Sequence, residues 1–276
     1  MEKFQLSLLV KIIGIGSASG LVYLDDTLYI ISDNSSYLYE YQIQNAKLNK
    51  IALVENPQEN IAKKDKPDFE AIAQKDKDLF LFGSGSTANR NHVFKYKSKS
   101  GKVSIKDVSF LYSEIKAQFN LSDDELNIEG VILKGESIYF FQRGNGGSGK
   151  NGIIYANDNA EDTKLSFIPF DLPKIKNVAA TFTDAVLVDE TIYFLATAED
   201  TNSTYLDGEV LGSLIGSIDL KTMKFVDSVQ ISDKHKFEGL TLYQKTKTQI
   251  EFLLCEDNDT EKLESDIYKL VLDLAQ

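Results

Sequence analysis

EGVILKGESIYFFQRG, residues 129–144, reads as two short apolar strands split by a tight turn and headed by an acidic residue plus a small one. Four more segments repeat that plan: SGLVYLDDTLYIISDN from Ser19, EAIAQKDKDLFLFGSG from Glu70, DAVLVDETIYFLATAED from Asp184 and EGLTLYQKTKTQIEFLLCEDN from Glu238. Their first residues lie 51, 59, 55 and 54 positions apart, and the 39 residues from Glu238 onward joined to the first 18 make a fifth interval of 57. So regular a recurrence of one supersecondary unit marks a repeat architecture.

Each unit continues into a third alternating strand, over 37–41, 92–96, 152–156, 216–220 and 266–270. A fourth follows in the first four units, over 48–54, 103–108, 165–170 and 225–231, rich in β-branched and apolar residues. The fifth unit has no fourth strand of its own, whereas 4–12 at the other end of the chain is a strand without a unit. The expected fold is therefore all-β: a single β-propeller domain over 1–276 with five four-stranded blades. Its blade cores are 19–54, 70–108, 129–170, 184–231 and 238–276 plus 4–12, the N-terminal strand closing the last blade. A solenoid would not leave its first and last units incomplete in complementary ways. A sixth blade would have to hide in 110–127, which reads instead as a short amphipathic helix capped near Ser122.

In a propeller the five inner-strand starts surround the central channel. Ser19, Glu70, Glu129, Asp184 and Glu238 are therefore expected in one ring at one mouth. Two carboxylates about 6 Å apart repel by roughly 3 kcal/mol at an effective dielectric near 20, so four of them need a cation, retained protons or basic neighbours. Their hard oxygens suit Ca²⁺ or Mg²⁺, with Glu70, Glu129, Asp184 and Glu238 the candidate ligands. The two arginines, Arg90 and Arg143, and the two histidines, His92 and His235, fall in or beside loops of that face. Each arginine either grips an anionic ligand or clamps a ring carboxylate, and both readings stay open. Arg143, Arg90, Asp33, Asn34, Ser84 and His92 are the candidate ligand-binding residues, and Asp33, Ser84, Arg143, Thr197 and Cys255, at the ends of second strands, should lie nearest the channel. Glu129, Glu238 and His235 are the candidate catalytic residues, with a solvated loop histidine as the plainer reading of His235.

A net charge of -12 opposes non-specific binding to nucleic acid or to an anionic membrane. A small-molecule or anionic ligand and a monomer are the expectation. The single cysteine, Cys255, excludes an internal disulfide and reads as a buried thiol. The stretch MEKFQLSLLVKIIGIGSASG is a poor signal peptide, because Lys11 interrupts the apolar run and residues 4–11 alternate as a half-buried strand does. A cytoplasmic location is expected; a functional signal there would instead mean export.

Some signals lead nowhere. GNGGSGKN, 144–151, approaches a phosphate-binding loop but has Asn151 where a hydroxyl residue is needed and runs on into a strand, so it reads as a hairpin with Lys150 free to face the mouth. Residues 257–261 lack the glycine and distal glutamate of a calcium loop and read as an acidic hairpin. Tyr29, Phe80, Tyr139, Tyr193 and Phe252 recur at equivalent second-strand places and read as packing between blades.

With the FEAIA, IEGVI and FEGLT segments in view, the chain resembles an uncharacterised bacterial propeller family of unknown function. It is more distantly similar to phytase-like and esterase-like propellers and to the gluconolactonase and regucalcin group. The last likeness implies a divalent metal held by a glutamate at an inner-strand start, here Glu70, Glu129 or Glu238, although that group usually has six blades. Two functions follow: a metal-assisted hydrolase of a small ester, lactone or phosphoester, or a non-catalytic binding or scaffold propeller with neutralised carboxylates. The fold hosts both.

Overall fold

The computed structural model describes residues 3–157, 164–201, 208–257 and 262–274. Strand β1 (Phe4–Ile13) is followed by blade 1, formed by β2 (Ala18–Leu24), β3 (Thr27–Ser32), β4 (Tyr37–Gln42) and β5 (Lys47–Ala52). Blade 2 is β6 (Phe69–Lys75), β7 (Asp78–Gly83), β8 (His92–Lys97) and β9 (Lys102–Asp107), and helix α1 (Ser109–Phe119) leads to blade 3. Blade 3 is β10 (Ile128–Lys134), β11 (Ser137–Gln142), β12 (Gly152–Asn157) and β13 (Lys164–Pro169), followed by a small ribbon of β14 (Lys174–Ile175) and β15 (Val178–Ala179). Blade 4 is β16 (Thr181–Val188), β17 (Thr191–Asp200), β18 (Glu209–Asp219) and β19 (Lys224–Ser232). Blade 5 is β20 (Phe237–Lys245), β21 (Gln249–Glu256) and β22 (Glu264–Asp273), and β1 completes it.

The ring closes as expected: β1 lies antiparallel to β22, from Phe4 opposite Leu272 to Ile13 opposite Glu264. Four inner hairpins turn in two residues whose first has positive φ: Asp25 at 48°, Asp76 at 58°, Gly135 at 60° and Asp189 at 55°. Aspartate and glycine tolerate that left-handed conformation, and it matches the twist of the flanking strands.

Five apolar cores each sit between two neighbouring blades. Leu21 and Ile30 face blade 5 whereas Val22 and Ile31 face blade 2, so successive residues of one strand serve different cores. Inner strands are therefore buried on both faces, and runs such as LYIIS and IYFFQ need no polar alternation. Rings of the second strands reach across blades: Tyr193 packs on Phe252 at 5.1 Å and Tyr29 on Tyr96 at 6.3 Å between centroids.

The innermost strands converge so closely that a small residue is needed near their starts. A Cβ on Gly239 would stand 2.4 Å from Cys255 Sγ and 2.9 Å from Gly20 Cα. Gly239→Val is expected to cost about 1–3 kcal/mol in urea unfolding, whereas Gly147→Ala, which meets open space, is expected to be silent.

Three sequence expectations change. In blade 4 the residue equivalent to Glu129 is Thr183, not Asp184. The strand-opening bulge skips Ser19, Glu70, Glu129, Thr183 and Glu238, while Asp184 pairs with Leu195 as Gly130 pairs with Phe141. The third strand of blade 4 begins at Glu209 rather than 216, because β17 and β18 form a long hairpin whose register shifts between Ala198 and Glu199. Helix α1 ends at Phe119, where Asn120 takes a left-handed φ of 50°, and Ser122 belongs to the turn beyond.

Candidate functional site

Two residues before each bulge stands a second polar residue, giving the strand openings Ser17-x-Ser19, Asp68-x-Glu70, Asn127-x-Glu129, Thr181-x-Thr183 and Lys236-x-Glu238. Alternation aims both members of each pair toward the channel. Opposite them, Asp33, Ser84, Arg143 and Asp257 follow second strands and donate their backbone N–H to Ser17, Asp68, Asn127 and Lys236 respectively. Thr197, paired with Thr181, fills the fourth-blade place. One mouth is thus lined by three tiers of polar side chains, neutral in blade 4 and charged elsewhere.

Asp184 and Cys255 lie outside these tiers. Asp184 is buried between blades 4 and 5 and accepts the backbone N–H groups of Ala185 and Leu240, each at 2.7 Å. Burial holds its carboxyl well above the usual range even though those two amides pull it down. It ties inner strands together and does not face the mouth. Cys255 pairs with Gly239, two residues short of the tier, and its buried thiol contacts the Ala18 carbonyl at 3.4 Å; burial pushes it well above its ordinary pKa.

Arg143, 4% exposed, is the hub of one half of the mouth. Its guanidinium meets Glu129 at 3.2 Å, Glu199 at 2.6 Å and Glu238 at 3.6 Å. Asn127 donates to Glu129 at 2.7 Å, Gly208 N–H donates to Glu199 at 2.6 Å, and Lys236 pairs with Glu238 at 3.0 Å and Asp257 at 3.2 Å. Burial raises the Glu129 and Glu238 carboxyls against the pull of Arg143 and Lys236. Both arginines are spent on carboxylates: in the other half, Arg90 pairs with Asp68 at 2.8 Å and donates to Ser86 at 2.7 Å and the Lys63 carbonyl at 2.9 Å. The loop of Ser84 wraps the Arg90 carbonyl so tightly that a Cβ on Gly83 would lie 2.3 Å from it.

In that second half one oxygen from each of Asp33, Asp68 and Glu70 lies within 4.8 Å of the others. Lys66 bridges Asp33 and Asp68, the latter at 2.8 Å, and Ser84 donates to Asp68. Burial alone would lower the Lys66 pKa, but Asp68, Asp33 and Glu70 together hold it above the usual range. Burial, with Asp257 and Asp68 opposing Lys66, lifts the Asp33 carboxyl to about 6. Glu70 makes no hydrogen bond or ion pair among the described residues. Burial and the charges of Asp68, Glu129 and Glu238 hold its carboxyl well above the usual range. Asp33 Oδ1 is buried without a hydrogen-bond partner.

Among the described residues the mouth gathers seven carboxylates (Asp33, Asp68, Glu70, Glu129, Glu199, Glu238, Asp257) against four cations (Lys66, Arg90, Arg143, Lys236), three negative charges in excess when all are ionised. Hard oxygens, an orphaned Asp33 Oδ1 and an unpartnered Glu70 fit a divalent cation at Asp33, Asp68 and Glu70. Of the four carboxylates expected as ligands, only Glu70 stands in that trio.

The remaining candidates divide. Ser84 adjoins the trio through Asp68. Asn34 accepts from Ser32 at 3.0 Å beside Asp33. His92 opens β8 opposite Asp107 on the outer strand. His235 turns away from the tiers: its Nδ1 meets Glu256 at 2.7 Å and its ring stacks on Phe237 at 5.4 Å. Lys150 donates to the carbonyls of Phe119 and Asn120, at 2.9 and 2.6 Å, so it caps α1 and is withdrawn from the mouth. Of the acidic hairpin 257–261, positions 258–261 lie outside the described residues. Asp68, Lys66 and Lys236 are site residues beyond those expected from the sequence, although the polar-x-polar opening of every inner strand carries the signal for Asp68 and Lys236.

A model of a "Family of unknown function (DUF6929)" matches residues 14–272. No curated protein matches the chain in sequence. Among solved structures, Myxococcus xanthus glutaminyl cyclase is similar at 9% identity and TM-score 0.55, over 98% of this chain and 97% of that one. A luciferin-regenerating enzyme is similar at 10% identity and TM-score 0.53, over 99% and 98%. The PQQ-bound aldose sugar dehydrogenase of Streptomyces coelicolor follows at 12% identity and TM-score 0.52, over 98% and 99%. At such identities the likeness is one of fold.

Proposed function

The chain belongs to this family of unknown function, DUF6929, and from the chemistry of its channel mouth we propose that it binds a divalent cation at Asp33, Asp68 and Glu70. The observation that carries the reading is the trio of carboxylate oxygens within 4.8 Å, one member of which, Glu70, makes no hydrogen bond or ion pair among the described residues. A hard ion there would offset the excess negative charge and leave coordination positions open toward the channel. Such an ion supplies Lewis-acid polarisation of a carbonyl or phosphoryl oxygen, which suits a small ester, lactone or phosphoester as ligand or substrate. Lys66 holds the place of a cation between Asp33 and Asp68, and its flexible stem lets it withdraw when an ion enters.

A second reading, a non-catalytic binding propeller, is favoured by Arg143, both of whose terminal nitrogens are taken up by Glu129, Glu199 and Glu238 rather than held open for a ligand.

Thermal unfolding of EDTA-treated protein titrated with Ca²⁺, Mg²⁺ and Mn²⁺ tests the proposal. One ion is expected to stabilise selectively, by about 1.4 kcal/mol at ten times its Kd and further with the logarithm of its concentration. Glu70→Gln is expected to lose that response while being more stable than wild type without ion, because a repelled carboxylate is gone. Lys66→Met is expected to bind the ion more tightly. An absent ion response, or one that survives Glu70→Gln, sinks the metal reading and leaves the binding propeller.

A further inference from the structure

Between blades 2 and 3, away from the channel, a groove of about 350 Å³ opens. Phe80 and Val93 of blade 2 form one wall, Leu133 and Ile138 of blade 3 the other, and Leu111 of α1 adds a third. These side chains are only partly buried, so apolar surface stays open to water, in a volume within the usual range for small-ligand pockets. The rim is basic: Lys75, Lys95 and Lys106 line it against a single carboxylate, Glu136. In a chain of net charge -12 such a local excess of lysine is a departure from the rest of the surface. Lys95 pairs with Asp78 at 2.8 Å and lies 5.0 Å over the Phe80 ring, and Lys75 donates to the Gly135 carbonyl. Lys106, on exposed β9, makes no such contact among the described residues and is the cation available to a ligand.

We infer that this groove binds a small amphipathic carboxylate, an aliphatic or aromatic acid whose tail lies along Phe80, Leu133 and Ile138 and whose head meets Lys106. Charge complementarity selects an acid over a neutral or cationic amphiphile of equal length, because the tail contributes the same burial in each. The site is independent of the channel mouth and of any ion bound there.

Isothermal titration with monomeric decanoate, and its competition with the fluorescent anion 1-anilinonaphthalene-8-sulfonate, tests the inference. Saturable one-to-one binding is expected, with decyltrimethylammonium failing to compete. Lys106→Glu, an exposed change, should weaken decanoate about fivefold at low salt, and less at high salt, where the charges are screened. Ser104→Trp, from an exposed position that lines the groove, should abolish binding with the unfolding midpoint kept. Equal binding of the cationic amphiphile, binding that survives both substitutions, no binding of decanoate, or binding only to anionic vesicles overturns it.

Discussion

Arg143→Met is expected to lower folding stability at pH 7 by about 3–5 kcal/mol. The guanidinium is buried among Glu129, Glu199 and Glu238, drawn from blades 3, 4 and 5. Removing it leaves Glu129 with Asn127 and Glu238 with Lys236, and forces the carboxylates either to repel one another or to take up protons. Burial already holds Glu129 and Glu238 above their usual range, so in the variant they rise further. A carboxyl raised in the folded state stabilises fully below its unfolded value, 4.5 here, and that contribution fades as pH climbs through the folded value. The deficit of Arg143→Met is therefore largest at neutral pH and shrinks toward pH 5. Glu125, held at about 2 by hydrogen bonds from Ser122 and Ser148, acts oppositely, and its support is lost only as pH falls below 4.5. Urea unfolding of wild type and variant at pH 7 and pH 5, both above the range in which Glu125 acts, reads the deficit, and one that does not depend on pH would remove the ion network from the explanation.

Asp184→Ala is expected to cost about 3 kcal/mol, because two buried backbone N–H groups, on Ala185 and Leu240, lose their acceptor. Asparagine keeps one oxygen and should cost about half as much. The pH trend runs the other way. Asp184 is itself raised by burial, so its contribution is fully present below its unfolded value of 3.8 and is lost as pH rises through its folded value. The deficit of Asp184→Ala consequently widens on acidification while that of Arg143→Met narrows. Opposite slopes in the same unfolding assay separate an inter-blade tie from a member of the channel network, and parallel slopes would refute the division. Asp184→Asn should also leave any ion response at the mouth intact, since its side chain faces the strand backbones.

The contrast between these two residues shows where sequence reading stopped. Treating Asp184 as the blade 4 member of an acidic ring placed a strand-to-strand tie in the channel. The error was a single position, and in a strand one position moves a side chain to the other face. The TFTD opening is readable beside DFEA, NIEG and KFEG, since each has polar residues two apart flanking a Phe or Ile, and that alignment selects Thr183. The sequence leaves two roles open for Arg143, and its contacts show the carboxylate-clamping one. Glu199 as its partner was not deducible, because it reaches in from the long hairpin of the neighbouring blade.

The sequence alone determined the five blades, their four strands and the closing of the last blade by β1. Those follow from local periods and from a count of strands that leaves one end short and the other in surplus. It also determined that one mouth would be polar, since every inner strand opens on polar residues. Tertiary structure alone decided which of those residues meet. The mouth draws on strand openings and loop ends from different strands and blades, and the trio of Asp33, Asp68 and Glu70 assembles across two blades with Lys66 between them. Ring closure sets those distances, and whether a carboxylate finds an arginine, an amide or no partner depends on angstrom-scale placement that no local pattern encodes.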